Sequence, residues 1–263
     1  MAETVLITGA ASGMGRAYTD EFGKNGFDLV LVDINGEVLE ALKPELEKKY
    51  RCKVTNIVSD LSKDNAAKEI HDETEKLGIA VDVLVNNAGF GDFGRYVDIP
   101  YGKERAMMGV NCISLMYLTH LYGNDMVQRG KGRILNISSI AAYLPGPYMP
   151  MYYATKAFVY SFSMAVGYEL RGTGVSVTTY CPGPTKTGFE KNAKMEGSRM
   201  FTFKPIQGGT KEETVHRAYE ATMAGKAHAQ FPKHKVFEAM CRVVVEAIRM
   251  PLCTWINTGE FKK

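Results

Sequence analysis

The sequence predicts a single-domain α/β protein, a parallel sheet with helices on both of its faces. Three observations carry this. Short apolar runs alternate with longer stretches of helical periodicity, the β-α-β-α order of a parallel sheet with right-handed crossovers. The apolar runs show little polar alternation, as expected where helices cover both sheet faces. The 263 residues hold no linker and no repeat, a length ordinary for one α/β domain.

The elements follow in order. A strand over 4–8 runs into a glycine loop, which opens a helix near 14–25. A strand over 29–33 ends on Asp33, and Asn35-Gly36 turns the chain into a helix over 36–50. The strand over 53–58 leads to Asp60-Leu61-Ser62, which reads as the start of a helix near 63–77. The strand over 81–86 ends in Asn86-Asn87-Ala88-Gly89, a turn by composition, before a helix over 102–129. The strand over 133–138 closes on Ser138-Ser139 and precedes a helix over 152–171. A strand over 175–181, a helix over 210–224 and a short strand over 227–231 follow. Residues 184–209 fit no element. A loop this long leaving a strand end is expected to be a lid over a ligand, the alternative being a surface excursion tucked onto the core.

Composition narrows the function classes. Lys and Arg number 32 against 29 acids, a net charge of +3 that gives no reason to expect a nucleic-acid partner or a membrane surface. Apolar residues at 45% and charged residues at 23% exclude disorder. The 5 cysteines form no CxxC and suit reduced thiols in a cytoplasmic protein. There is no secretory signal and no run of about 18–20 apolar residues, so the protein is expected to be soluble, without an integral membrane segment. His71, His120, His216, His228 and His234 lack metal-ligand spacing, and no metal site is expected.

Thr8-Gly9-Ala10-Ala11-Ser12-Gly13-Met14-Gly15 follows the first strand and opens the first helix. Glycines at 9, 13 and 15 permit a tight turn and a close backbone approach to a pyrophosphate, at a helix end rich in free N–H groups. Asp33 stands 18 residues after Gly15, at the end of the second strand. A carboxylate there accepts from both ribose hydroxyls of an adenosine and repels a 2′-phosphate, which argues for NAD. Its alternative reading is a helix cap or turn residue before Asn35-Gly36.

Ser139 ends the fifth strand, and 13 residues later comes Tyr152 in Tyr152-Tyr153-Ala154-Thr155-Lys156. On a helix, Lys156 stands one turn from Tyr152, whereas Tyr153 has Ala157 at that offset. A phenol near pKa ~10 is a poor acid or base at neutral pH, and a nearby ammonium would lower that value. Ser139 would hydrogen-bond the reacting oxygen. Hydride transfer needs little more, because the nicotinamide carries the chemistry. A Tyr–Lys pair alone is common on helices; its order behind the glycine loop and the serine gives it weight.

With these residues on the page, the sequence resembles the short-chain dehydrogenase/reductases over about residues 3–190. The carrying motifs are Thr8-Gly9-xxx-Gly13-x-Gly15, Asp60, Asn86-Asn87-Ala88-Gly89, Asn111, Ser139, Tyr152-xxx-Lys156 and Pro182-Gly183-xxx-Thr187. The resemblance implies a Rossmann-type doubly wound sheet of about seven parallel strands. It implies Tyr152 as general acid/base, Lys156 as its pKa depressor and a ligand of the nicotinamide ribose, and Ser139 polarising the substrate oxygen. Asn111, in the helix after the fourth strand, would hold a water linking Lys156 to solvent. Asp60 would meet the adenine, Asn87 and Gly89 the adenosine ribose region, and Thr187 the carboxamide. Ser12, Met14, Leu61, Ala88, Pro182, Gly183 and Thr185 complete the expected cofactor contacts.

The C-terminal region departs from many family members. It has Gln230-Phe231-Pro232-Lys233 and then an amphipathic helix expected over 235–249, ended by Pro251. This tail looks like the branch that includes hydroxysteroid and long-chain acyl reductases. Packing on its own domain is the plainest expectation, beside a partner subunit or a membrane surface. The departure argues against a tetramer but leaves a homo-oligomer, at least a dimer, expected through helices 102–129 and 152–171. Phe93, Tyr148, Met195 and Met200, with Ser139 and Tyr152, are the expected substrate contacts, and Met beside aromatics suits a bulky apolar molecule. The expected activity is hydride exchange between NAD and an apolar secondary alcohol or ketone, a hydroxysteroid leading. The rivals are a catalytically silent NAD-binding sensor or scaffold and an NADPH-dependent carbonyl reductase.

Overall fold

The computed structural model describes residues 2–185, 187–193, 195, 198–204, 206–244 and 246–258. Gly197, Pro205 and Val245 lie outside them, as do the side chains of Arg242, Glu246, Ala247 and Arg249.

Seven parallel strands form one sheet in the order β3-β2-β1-β4-β5-β6-β7. They are β1 (Thr4–Thr8), β2 (Asp28–Asp33), β3 (Val54–Val58), β4 (Val83–Asn86), β5 (Gly132–Ile137), β6 (Val175–Cys181) and β7 (His228–Gln230). This is the doubly wound, Rossmann-type arrangement expected. The strand residues divide cleanly between the two faces, as a period of two demands. Val5, Ile7, Leu29, Leu31, Val83 and Val85 pack into one core, and Leu6, Val30, Val32 and Leu84 into the other. Both cores are apolar, which is why the strands read as unbroken hydrophobic runs.

The helices are α1 (Gly13–Lys24), α2 (Gly36–Tyr50), α3 (Ala66–Lys76), α4 (Tyr101–Met108), α5 (Leu115–Arg129), α6 (Pro150–Glu169), α7 (Phe189–Asn192), α8 (Lys211–Met223), α9 (His234–Val243) and α10 (Glu246–Thr258). Local chemistry sets several starts. The Asn35 side chain accepts from Val38 N at 3.1 Å and caps α2, and Thr210 accepts from Glu213 N at 3.1 Å and caps α8. Pro150 occupies the first turn of α6, where its missing N–H is no loss.

Three expectations change. The helix expected over 102–129 is interrupted by a π-helical turn, Gly109–Ser114, between α4 and α5. Such turns are rare and gather at functional sites; periodicity alone does not show one, because the apolar pattern resumes one residue out of phase. The segment 184–209 is not structureless: it holds α7 and a 3₁₀ turn, Arg199–Phe201, and buries Met195, Met200 and Ile206 in a third core. The single helix over 235–249 is instead α9 followed by α10, with the break at Val244, whose backbone is extended. Pro251 sits inside α10 rather than beyond a helix end. It forfeits one ladder bond, and the packing of Cys253 and Ile256 into the third core offsets that loss.

Candidate functional site

The carboxyl ends of β1, β2, β4, β5 and β6 meet where the sheet order reverses, between β1 and β4. Ligands of open α/β sheets bind in that crevice. A cleft of about 500 Å³ runs along it, lined by Gly9, Ser12, Gly13, Met14, Asp33, Asp60, Leu61, Asn87, Ala88, Gly89 and Thr187 among others. Of the expected cofactor residues, these come together there.

The glycine loop is built for close approach. Gly9 and Gly13 have φ of 68° and 56°, where only glycine rests without strain. A Cβ on Gly15 would lie 1.8 Å from the Gly9 carbonyl oxygen, so the loop folds back on the start of α1 with no room for a side chain. Ser12 precedes α1 with its hydroxyl making no capping bond, leaving the helix N-terminus open to an anion. Thr8 anchors the loop from below: its hydroxyl accepts from Asn87 N at 3.1 Å and Ala88 N at 3.0 Å. Asn87 Nδ2 donates to Thr8 O at 2.9 Å, so this side chain braces the loop as well as lining the cleft. Thr8 was invisible to motif reading as more than the loop's first letter.

Asp33 does two jobs locally. Its carboxylate accepts from Ala11 N and from Asn35 N, each at 3.0 Å, which ties β2 to the glycine loop and makes the turn-residue reading true in part. It also faces the cleft. Arg16 is committed elsewhere, to Asp20 and Glu45. Among the described residues lining the cleft there is no Lys or Arg. Asp60 accepts from Ser62 N at 3.0 Å and Ser62 Oγ at 2.7 Å, and these bonds hold its carboxyl below the usual range. The site therefore fits a dinucleotide: an unobstructed backbone cradle, an open helix end and an acid at the ribose position.

The cleft continues into a smaller chamber of about 110 Å³ that shares Met14, Asn87, Gly89, Thr187 and Phe189 with it. Ser139, Tyr152 and Lys156 line this chamber together, with Met200, Pro182, Gly183 and Thr185. Lys156 is buried, with Nζ donating to Ile137 O at 2.9 Å and lying 5.8 Å from the Tyr152 ring centre. Ser139 stands close to the Tyr152 phenol and favours its ionised form, but burial outweighs this and pushes Tyr152 up to about 12, opposite to the lowering expected. Burial likewise pushes the Lys156 ammonium down to about 8, so the chamber desolvates both partners.

Asn111 lies in the π-helical turn, fully buried. Its Oδ1 accepts from Phe90 N at 3.1 Å, and its Nδ2 donates to Phe90 O at 3.0 Å and Thr155 Oγ1 at 3.1 Å. The residue thus clamps the strand-four loop to α6, one residue from Lys156. The Tyr152–Lys156 spacing alone gives Thr155 no role, and the structure makes it the partner of Asn111.

Of the expected substrate contacts, Ser139, Tyr152 and Met200 line the chamber. Phe93, Tyr148 and Met195 do not. Phe93 and Tyr148 stack on each other, ring centres 5.8 Å apart, and Met195 is buried in the third core. Their places are taken by Leu144, Tyr153, Phe189, Phe237, Cys253 and Ile256. The last three come from α9 and α10, whose amphipathic pattern was legible but whose target was not. Tyr153, opposite Tyr152 on α6, donates to Asn257 Oδ1 at 2.9 Å, and Asn257 Nδ2 donates to Pro147 O at 2.9 Å. Those bonds fasten α10 onto α6 and its preceding loop. Away from the crevice, His71 pairs with Asp125 at 2.8 Å; with Asp72 and Glu75 it offers ligand atoms within 4.8 Å of one another, the two acids being exposed.

Comparisons with known proteins agree with this geometry. Residues 3–197 match the family model for short chain dehydrogenase. Over 188 residues the chain is 33% identical to the very-long-chain 3-oxoacyl-CoA reductase of Homo sapiens, 69% of this chain and 59% of that protein. Over 199 residues it is 33% identical to the 17-beta-hydroxysteroid dehydrogenase type 3 of Mus musculus, 74% and 65% respectively. The match thus spans less than two thirds of these relatives' length. A solved short-chain dehydrogenase from Sphingobium yanoikuyae, in complex with NADPH, superposes with a TM-score of 0.78 at 26% identity, over 93% of this chain and 97% of that one.

Proposed function

Because the chain belongs to the short-chain dehydrogenase family, a family of oxidoreductases, we propose that it exchanges a hydride between a nicotinamide dinucleotide and the carbinol or carbonyl carbon of an apolar secondary alcohol or ketone. The observation that carries this reading is the convergence of Ser139, Tyr152 and Lys156 on one apolar chamber opening from the glycine-loop cleft. When bound along the cleft, the dinucleotide supplies the hydride acceptor or donor.

The chain's own residues manage the oxygen. The Ser139 hydroxyl donates to it and fixes its position. Tyr152 takes the proton from the alcohol oxygen in oxidation and returns it in reduction. The nearby Ser139 supports that role by favouring phenolate. Lys156, anchored on Ile137 O, adds positive charge behind the ring while it remains protonated, and Asn111 keeps the Phe90 loop and Thr155 in place around it. Burial excludes bulk water from this proton transfer.

Asp33 supports NAD as the preferred cofactor: its carboxylate would repel a 2′-phosphate, and Arg16 is held by Asp20 and Glu45. The NADPH bound to the Sphingobium relative keeps the NADPH-dependent reading in play. The substrate class takes in hydroxysteroids, the substrates that the name of the mouse relative indicates. The whole chain acts as one catalytic unit in this reading. Its cytoplasmic setting is supported by five free cysteines, Cys52, Cys112, Cys181, Cys241 and Cys253. Exposed Ile113, Met116, Phe158 and Tyr168 on the π-helical turn, α5 and α6 support a dimer through those helices.

Absorbance of the reduced cofactor, followed with purified protein, NAD or NADP and a panel of secondary alcohols and hydroxysteroids, tests the proposal. Turnover with a kcat/KM favouring NAD is expected. Tight NAD binding with no turnover on any member would instead favour a sensor or scaffold.

A further inference from the structure

Beyond the reacting chamber lies a second cavity of about 340 Å³, between α9 and α10. The two share Leu144, Phe237, Cys253 and Ile256 as walls. The second opens outward past Val236 and Met240, which are exposed. Apart from Lys233, the described residues that line it are aliphatic, aromatic or sulfur-bearing.

The sizes matter. Pockets for drug-sized ligands run to about 300–1,000 Å³. The reacting chamber offers about 110 Å³, and Asn87, Gly89 and Thr187 of the cofactor cleft already border it. A substrate of any bulk must extend beyond it. The adjoining apolar cavity, walled off by the shared Leu144, Phe237, Cys253 and Ile256 side chains, offers a continuation. A flexible chain can bend between such side chains; a rigid fused-ring nucleus must keep its width. Among the described lining residues the side-chain donors are the Lys233 ammonium and the weak thiols of Cys241 and Cys253, poor partners for the buried remote oxygen of a second hydroxyl or ketone.

Resting on the reading of the chamber as the reacting site, we propose that the cavity between α9 and α10 receives an unbranched aliphatic arm of the substrate, with the reacting carbon at Tyr152 and the arm's far end emerging between Val236 and Met240. Each methylene entering the cavity leaves water, and burial of one CH₂ is worth about 0.8 kcal/mol, roughly fourfold in an equilibrium or rate constant. The α9–α10 pair is then a specificity element, and not only a cover for the core.

The test is a 2-alkanol series from 2-butanol to 2-dodecanol, with a hydroxysteroid as comparator, on the wild-type protein and on Val236→Trp, a surface substitution that narrows the mouth. Expected is a kcat/KM that climbs by about threefold to fourfold per methylene and then levels off. Val236→Trp should flatten the climb while leaving 2-butanol unchanged. A flat series in a protein that oxidises 2-butanol, a climb untouched by Val236→Trp, or a hydroxysteroid outperforming every chain overturns the aliphatic arm and leaves the oxidoreductase reading standing. If no alcohol turns over, calorimetric binding of 2-decanol separates the two claims. Binding that Val236→Trp abolishes supports the cavity and overturns the reaction; no binding overturns both.

Discussion

Lys156 and Tyr152 share one dry chamber, and each is pushed by burial toward its neutral form. Tyr152 stands at about 12 and Lys156 at about 8. A base that must lose its proton before oxidation, with a pKa above the working pH, gives a rate that rises about tenfold per pH unit until its pKa is passed. Lys156 carries its positive charge behind the ring only while protonated, so that charge fades as pH climbs past about 8. We therefore expect kcat/KM for oxidation to rise through neutral pH and to bend early, near the lysine value. Tyr152→Phe should lose at least 10²-fold to 10⁴-fold in kcat, the usual worth of a positioned acid/base, with cofactor affinity kept. A pH-independent profile, or a phenylalanine variant with most of its activity, would remove the phenol from the reaction. The direction of Tyr152's own shift was not legible in sequence. The i, i+4 spacing shows adjacency to a lysine, but desolvation depends on Leu144, Phe189 and the C-terminal helices closing over the ring, and these arrive from distant parts of the chain.

At the scale of elements, strands were the most legible feature because burial on both faces writes itself as a continuous apolar run. The strands expected over 4–8 and 175–181 are β1 and β6 residue for residue, and the others shift by two residues at most at either end. What sequence did not show was geometry with no period of its own, namely the π-helical turn and the α9–α10 break. The cleft residues were legible from their place in the order of elements: Gly9, Asp33 and Asn87 sit at strand ends and Gly13 opens α1. Phe93, Tyr148 and Met195 were misplaced because loop composition tells nothing of direction. The α10 helix hangs on a specific tie, Tyr153 to Asn257 to Pro147. Asn257→Leu takes this partner from the buried Tyr153 hydroxyl, at about 1–3 kcal/mol, and from the half-buried Pro147 carbonyl, at less. Amide exchange across 246–258 should speed by at least tenfold, and KM should rise more than kcat falls. Exchange that stays at the wild-type rate would show that core packing alone retains the helix.

For the molecule as a whole, cofactor binding and folding are linked, because the cradle exists only when β1, β2 and β4 are assembled. At a hundredfold excess over its dissociation constant a ligand stabilises the folded state by about 2.7 kcal/mol. For a domain of this size that is roughly 5–10 °C in Tm. NAD should give a shift of that order in a thermal melt. Asp33→Ala should shrink the shift from NAD more than that from NADP, even though the variant also releases Ala11 N and Asn35 N and so loosens the loop for both. Equal losses would mean that the carboxylate acts only as a brace.

The π-helical turn at Gly109–Ser114 has its own consequence. Each residue advances a helix by about 100°, so the one extra residue offsets the angular phase of α5 from that of α4. Were the turn wound as regular α-helix with every residue kept, α5 would swing by about 100°, a little over a quarter of a revolution. Leu118, Tyr122 and Met126, now inward, would rotate toward water, and Asn111 would lose its aim at Phe90. The surplus residue is therefore the bearing that lets one continuous rod serve two unrelated orientations.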